Sequence, residues 1–461
     1  MDLFTPITPI EKQHKYFVYM TESGTCQPEI EVLQNWADGF IDRNGKFVKE
    51  FQTNFNSNFW ELYLFACFKE LGSKVDTSHE TPDFLVSSQY GDFVAEAAIA
   101  SHPEGFRPEW EKNDFSNFKK PSQKEILRLS VIRLEHSISK KFKKYRSHYS
   151  KLSHVKNKPF VICATPFDQP FFFTQDSLAI VKVLYGYEGV ISDTDSNGNI
   201  RIIGDSYKYQ AQKKPGFDVH LGLFTNPKMK EVSAIVFNNR ATFSKLRALA
   251  KGDSKCQIVF GGFRKIDSEN EIGISPFFEQ RPDYKETLLD GLHILLNPFA
   301  ENPLDTRIFE NREIAIHNYD KETGEYISYL PHNFLLQRIC YTISSEHEFQ
   351  EFKQYINKQY KELEPEQWKE GELKEFGGSS GYVRKNHMAH YKGWTIVVSL
   401  DLIDDDWGSI ALKKLCYSVV EFTKENSKGK YKSLLLNDFR STKEEAFGAM
   451  KKKIDEFKVL S

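Results

Sequence analysis

The stretch Thr81-Pro82-Asp83-Phe84-Leu85-Val86-Ser87-Ser88-Gln89-Tyr90-Gly91-Asp92-Phe93-Val94-Ala95-Glu96-Ala97-Ala98-Ile99 decides how this chain is read. Asp83 to Ser87 and Asp92 to Ile99 predict two strands, joined by the turn-prone Gln89-Tyr90-Gly91. Glu96 is the anomaly in the second strand. A carboxylate among Val94, Ala95, Ala97 and Ala98 is costly to bury without a partner or a metal. Asp83, after Pro82 at the first strand's start, would by itself pass as a turn aspartate.

Upstream, Asn56 to Leu71 predicts a helix, with Phe59, Tyr63, Ala66 and Cys67 at helical spacing and Gly72 as its stop. Glu61 lies within it and, taken alone, reads as a surface glutamate. Downstream, Ser122 to Tyr149 predicts a second helix, opened by Ser122 with Glu125 at capping-box spacing. Leu127, Val131, Leu134, Ile138, Phe142, Tyr145 and Tyr149 form its apolar face. Phe160 to Thr165 then reads as a strand buried on both faces. Further strands are expected at Ile200 to Ile203, Val232 to Asn238, Gln257 to Phe260 and Leu292 to Leu296, with helices near Ser177 to Tyr185 and Ala241 to Ala250. The order points to an α/β fold, a mixed sheet covered by helices.

The 461 residues suggest two or three domains. Residues 1–50 read as an N-terminal extension, 51–340 as the main domain, and 345–461 as a smaller α+β accessory module. That module is expected to hold a helix from Glu346 to Tyr360, a Gly-rich hinge from Gly377 to Gly381, and a strand from Trp394 to Leu400. A helix from Ser409 to Thr423, a strand from Lys432 to Leu436 and a helix after Ser441 complete it. It reads as an interaction surface, for a protein partner or a second copy.

The formal charge of −2 conceals a segregation. Lys119 to Lys158 carries 13 basic and two acidic residues, +11, whereas the rest holds 49 basic and 62 acidic, −13. A basic run alone is more often a solvated helix face; such asymmetry inside an acidic chain also marks nucleic-acid contact. Lys119, Lys120, Lys124, Arg128, Arg133, Lys140, Lys143, Lys144 and Arg146 would track a phosphate backbone, giving affinity that falls with salt. Phe115 and Phe118 would be free to stack on bases. His102, Arg107 and Trp110 lie in the segment from Ser101 to Lys120 that would line the groove.

Glu61, Asp83 and Glu96 together are a ligand set for a hard divalent cation. Mg²⁺ takes oxygen ligands, commonly one or two carboxylates plus waters and phosphate oxygens. Asn58-Phe59-Trp60-Glu61-Leu62-Tyr63, Thr81-Pro82-Asp83-Phe84 and Val94-Ala95-Glu96-Ala97-Ala98 resemble the motifs of the PD-(D/E)XK nuclease superfamily, with its restriction-endonuclease-like fold. The resemblance covers about 56 to 165. It implies a Mg²⁺- or Mn²⁺-dependent nuclease acting on nucleic acid, DNA before RNA, in a setting such as anti-phage defence or restriction. The superfamily's lysine two residues after the second acid is here Ala98. The resemblance then points to a lysine supplied by the next helix: Lys141, which with Tyr145 has the spacing of a Q-x-x-x-Y motif, or its neighbours Lys140 and Lys144. The alternative is a catalytically inactive nuclease fold that binds nucleic acid or a partner.

Other chemistries lack their residues. Phe260-Gly261-Gly262-Phe263 has no Lys-Ser/Thr ending of a phosphate loop, and no H-E-x-x-H or G-x-S-x-G occurs. His220, His293 and His317 read as structural histidines. The six scattered cysteines read as reduced thiols. With no signal-like N-terminus and no apolar run of about 20 residues, a cytoplasmic protein is expected.

Overall fold

Four α-helices precede the first strand: α1 (Lys15–Glu22), α2 (Gln27–Trp36), α3 (Phe47–Thr53) and α4 (Phe55–Glu70). The computed structural model describes residues 1–102, 105, 108–110, 123–170, 172–194, 200–214, 217–252, 256–268 and 271–343. It also describes 374–376, 385–391, 394–401, 415–421, 434–440, 444–445 and 447–452. By compactness the chain divides into residues 1–189 with 206–345, and 190–205 with 346–461.

α4 is the helix expected from the aromatic run, and it is buried on nearly every side because it offers almost no polar stripe to water. Phe59, Trp60, Leu62 and Tyr63 are buried, each contributing about 1.5–3 kcal/mol through removal from water. Trp60 Nε1 donates to the Cys163 carbonyl at 2.8 Å, pinning the helix to the sheet. Gly72 ends it with φ +76°, a conformation that side-chain-bearing residues seldom adopt. Residues 1–50 contribute directly to this core: Phe17, Leu33, Trp36 and Phe47 pack with α4.

Strands β1 (Lys74–Asp76), β2 (Phe84–Ser88), β3 (Gly91–Ser101) and β4 (Phe160–Phe167) surround α5 (Gln123–Ser147) in the chain. After α6 (Leu178–Tyr185) come the short pairs β5 (Tyr187–Thr194) with β6 (Ile200–Tyr207), and β7 (Gln210–Lys214) with β8 (Phe217–His220). Then follow β9 (Ala234–Phe237), α7 (Phe243–Leu249), β10 (Gln257–Ser268), β11 (Glu271–Gln280) and β12 (Leu292–Leu296). Strands β13 (Ile314–Tyr319), β14 (Tyr326–Tyr329) and β15 (Leu335–Ile343) complete the first unit, to which residues 190–205 of the β5–β6 pair do not belong. Eight strands form one mixed sheet in the order β1-β2-β3-β4-β9-β12-β13-β14. β3, β4 and β9 run parallel to one another, whereas β1, β2 and β3 pair antiparallel. Helices flank the sheet, so the expected mixed α/β architecture is what is observed.

The two faces of β3 follow its period of two. Phe93, Ala95 and Ala97 pack with α4, whereas Val94, Ala98 and Ala100 pack with Val131, Leu134 and Ile138 of α5. β4 is buried throughout, as its apolar run required. β10, β11 and β15 form a separate antiparallel sheet, of which the sequence predicts only the strand at Gln257 to Phe260.

The second unit departs further from expectation. Its strands β16 (Lys374–Phe376), β17 (Lys385–Tyr391), β18 (Trp394–Asp401), β19 (Leu415–Glu421) and β20 (Leu434–Arg440) form one antiparallel sheet. The helix expected from Ser409 to Thr423 is corrected: Leu415–Glu421 is a strand paired on both sides. Leu415-Cys416-Tyr417-Ser418-Val419-Val420 is rich in β-favouring residues, and two pairing neighbours outweigh its helical spacing. Residues 409–414, the expected helix from Glu346 to Tyr360 and the Gly377–Gly381 run lie outside the described residues. Residues 444–445 and 447–452 are helical, as expected after Ser441, with Phe447 and Met450 buried.

No described helix is long and apolar enough to cross a membrane. Cys26, Cys67 and Cys163 are free and buried.

Candidate active site

The β2–β3 hairpin brings two of the singled-out carboxylates together. Pairing of Phe84 with Ala95 sets Asp83 beside Glu96 across the ladder. The Asp83 amide donates to Glu96 Oε2 at 3.3 Å, and the Ala97 amide donates to Asp83 Oδ2 at 2.8 Å. The 13 positions separating the acids are thus taken up by one turn and two paired strands.

Glu96 is 2 % exposed and points to the α5 face of the sheet. Lys141 on α5 donates from Nζ to Glu96 Oε1 at 2.8 Å, the Lys144 ammonium stands 3.6 Å from the same oxygen, and the Tyr149 hydroxyl donates to it at 2.7 Å. Lys144 also lies over the Tyr149 ring, 5.0 Å from its centroid. Ala98, two residues on, shares this face and is covered by α5. A side chain as small as alanine leaves room for the helix, and that helix brings Lys141 to Glu96. Of the three candidates, Lys141 makes the direct hydrogen bond; Lys140 is exposed.

The other carboxylate is held from the N-terminal side of the chain. In the loop between α2 and α3, Arg43 Nη1 donates to the Asp83 carbonyl at 3.1 Å and Nη2 to Asp83 Oδ1 at 3.0 Å. Glu61 on α4 is half-buried and accepts no hydrogen bond among the described residues, yet lies within electrostatic reach of Asp83, Arg43, Lys141 and Glu96.

The charges are unevenly balanced. Burial, reinforced by Asp83, raises the Glu61 pKa well above the carboxylate range. Burial and the Glu96 charge also raise that of Asp83, against the pull of Lys141, the Ala97 amide and Arg43. Burial pushes Glu96 up too, but Lys141, Tyr149 and Lys144 outweigh it, and its pKa falls below the ordinary value. Burial pulls the Lys141 pKa down, while Glu96 and Asp83 more than offset it and leave the ammonium more firmly protonated. Tyr149 is raised by burial and by Glu96, so its phenol remains a donor. Such a lysine orients and neutralises; it does not serve as a general base near neutrality.

Among the described residues, no group of three or more His, Cys, Asp or Glu is gathered as ligands of one metal ion. Asp83 and Glu96 meet, and Glu61 acts on them electrostatically. The donor set still fits a hard divalent cation. Asp83 and Glu96 offer only oxygen, and two carboxylates suffice for Mg²⁺ when water and phosphate fill the remaining positions.

The basic residues divide. Arg128, Lys140, Lys143, Lys144 and Arg146 are exposed on α5. Arg146 stands 3.4 Å from Glu231, and Lys144 turns toward Glu96. Arg133 is half-buried and its Nε donates to the Ser101 carbonyl at 2.8 Å, tying α5 to the end of β3. Lys119, Lys120, Arg107, Phe115 and Phe118 lie outside the described residues, and Lys124 is placed only as a position of α5. Trp110 packs against His14 and His102 at ring distances of 4.4 and 5.6 Å. Tyr145 stacks on Phe160 within the core; Tyr149, one turn on, is the tyrosine that reaches the acids.

Sequence reasoning missed Arg43 and the polar role of Tyr149. Tyr149 follows Lys141 by about two helical turns, hence lies on its face of the helical path, and that spacing could have found it. No local signal marks Arg43, 40 residues from its partner. His293 and His317 are buried and hydrogen-bond each other at 2.9 Å, with His317 also bonded to Tyr326. Compared with protein-family models, curated proteins and solved structures, the chain finds no match.

Proposed function

We propose that this chain is a metal-dependent nuclease of the restriction-endonuclease-like kind, cleaving phosphodiester bonds with Asp83, Glu96 and Lys141 at the reacting centre. One observation carries the reading: the buried Glu96, set beside Asp83 by a hairpin, receives a lysine from the basic helix that follows and a tyrosine from the turn after it. Asp83 and Glu96 would hold Mg²⁺ or Mn²⁺; when bound, such an ion activates water and neutralises phosphate charge. Lys141 would hold its ammonium beside Glu96, where it stabilises charge gathering on the phosphate under attack. Tyr149 would fix the Glu96 carboxylate through Oε1, and Glu61, its pKa raised in the free protein, would give up its proton as the cation binds. Arg128, Lys140 and Lys143 would supply sequence-independent contacts to the backbone.

The test is incubation with DNA and RNA, with Mg²⁺, Mn²⁺ or chelator. Cleavage is expected with metal alone, reduced by at least about a thousandfold in Asp83→Ala and in Glu96→Ala, as for residues acting in the transition state. A rival reading, an inactive nuclease fold that binds nucleic acid, is favoured by one feature: Ala98 in place of the strand lysine. Binding without cleavage under every metal would establish the rival.

A further inference from the structure

We propose that Arg43 gates the metal site, occupying Asp83 until a divalent cation displaces it. The inference rests on Asp83 and Glu96 being the metal ligands. The two carboxylates offer four oxygens, and the partners of these differ in how readily they move. Asp83 Oδ2 is held by the Ala97 amide, a fixed part of β3. Glu96 Oε1 is held by Lys141 and Tyr149, from α5 and the turn that follows it. Glu96 Oε2 receives only the 3.3 Å approach of the Asp83 amide among the described residues. Asp83 Oδ1 receives Arg43 Nη2 and no other hydrogen bond among the described residues.

Arg43 is the one of these partners carried by a connection between helices. Its loop is anchored on both sides. Ile41 exchanges hydrogen bonds with Thr77 Oγ1 at 3.0 and 3.2 Å, and the Asp42 carboxylate accepts from the Phe47 amide at 3.1 Å. Arg43 itself lies in the turn between these anchors, and its side chain is 18 % exposed. Releasing Asp83 means breaking two hydrogen bonds, Nη2 to Oδ1 and Nη1 to the Asp83 carbonyl, both made by the long side chain, so neither neighbouring helix has to unfold. A guanidinium and a divalent cation are both positive, and both seek the same oxygen. Binding of one opposes binding of the other by the strength of a charge-assisted hydrogen bond. Without metal, Arg43 supplies the neutralising charge on the Asp83 side that Lys141 supplies on the Glu96 side.

The experiment is Mn²⁺ titration by calorimetry of the full chain, without nucleic acid, comparing the natural protein with Arg43→Gln, Arg43→Lys and Asp83→Asn. Arg43→Gln is expected to bind Mn²⁺ about tenfold more tightly, the scale of one charge-assisted hydrogen bond released. Arg43→Lys, which keeps the charge without the forked geometry, falls between the two and carries the test should the glutamine variant not fold. Binding that depends on Asp83 but is equal in the natural protein and both Arg43 variants overturns the gate and leaves the metal site standing. Absence of Mn²⁺ binding in all of them overturns gate and metal site together.

Discussion

Two buried charge clusters lie in the same unit and are built on opposite principles. At Glu286, one carboxylate is surrounded: Lys245 Nζ at 2.5 Å and Arg338 Nη1 at 2.6 Å meet Oε1, and the Tyr284 hydroxyl donates to Oε2 at 2.7 Å. Against the cost of burial, Arg338 and Lys245 bring the Glu286 pKa down to about 2. At Asp83 and Glu96 the same ingredients are present with fewer cations to each acid: Glu61, Asp83 and Glu96 share Arg43, Lys141 and Lys144, and Asp83 and Glu61 are raised instead. Both clusters use lysine, arginine and tyrosine around carboxylate. The difference is stoichiometry. A cluster with two cations on its one acid is a brace; one with a single cation to each acid leaves part of the burial cost of its carboxylates uncompensated.

The largest expected effect breaks the brace. Arg338→Ala leaves Glu286 short of a partner in a fully buried place and is expected to cost about 3–5 kcal/mol in denaturant unfolding. The pH dependence has a defined sign. Because the folded pKa of Glu286 is depressed, its stabilisation is present above about 4.5 and is lost as pH falls toward 2. The penalty of the variant should shrink over that interval; a penalty constant down to about pH 2 would show that packing, not charge, is what Arg338 contributes.

A smaller effect of opposite sign is expected at the other cluster. Glu61 has a raised folded pKa, so its ionisation opposes folding as pH rises above the ordinary carboxylate value. Glu61→Gln should raise the melting temperature at about pH 8 by a few degrees, on the scale of about 1 kcal/mol, and change it little at about pH 4. A lower melting temperature under the alkaline condition would make Glu61 another brace and erase the contrast.

The smallest effect concerns the outside of α5. Replacing Arg128 and Lys140 by glutamine should reduce the slope of log affinity for nucleic acid against log salt by about 0.9 for each phosphate no longer neutralised, with stability unchanged. An unaltered slope would assign these side chains to solvation alone, leaving Lys141 and Lys144, turned to Glu96, as the helix's working cations.

Much of the fold is legible in the chain's local patterns. Aromatic crowding before Gly72, the paired apolar runs around Tyr90-Gly91 and the stripe from Leu127 to Tyr149 each state a period that only one local structure satisfies. Glu96 stands out because a carboxylate in an apolar strand has to be compensated, and Lys141 because it lies on the basic helix that follows, within reach of that strand. The 415–421 strand is hidden because short apolar segments satisfy helix and strand alike until their neighbours choose.

By itself, then, the sequence determined the periodic elements, the segregation of a +11 segment from a −13 remainder, and the acids that burial would make expensive. Only the tertiary structure decided which charges meet. It placed Arg43 on Asp83 and Tyr149 on Glu96, bonded the Arg133 Nε to Ser101, and packed part of residues 1–50 into the core. The reason is range. Backbone periodicity is written in neighbours about three or four positions apart, whereas the sign and number of charges around a buried carboxylate depend on chain segments that packing alone brings together.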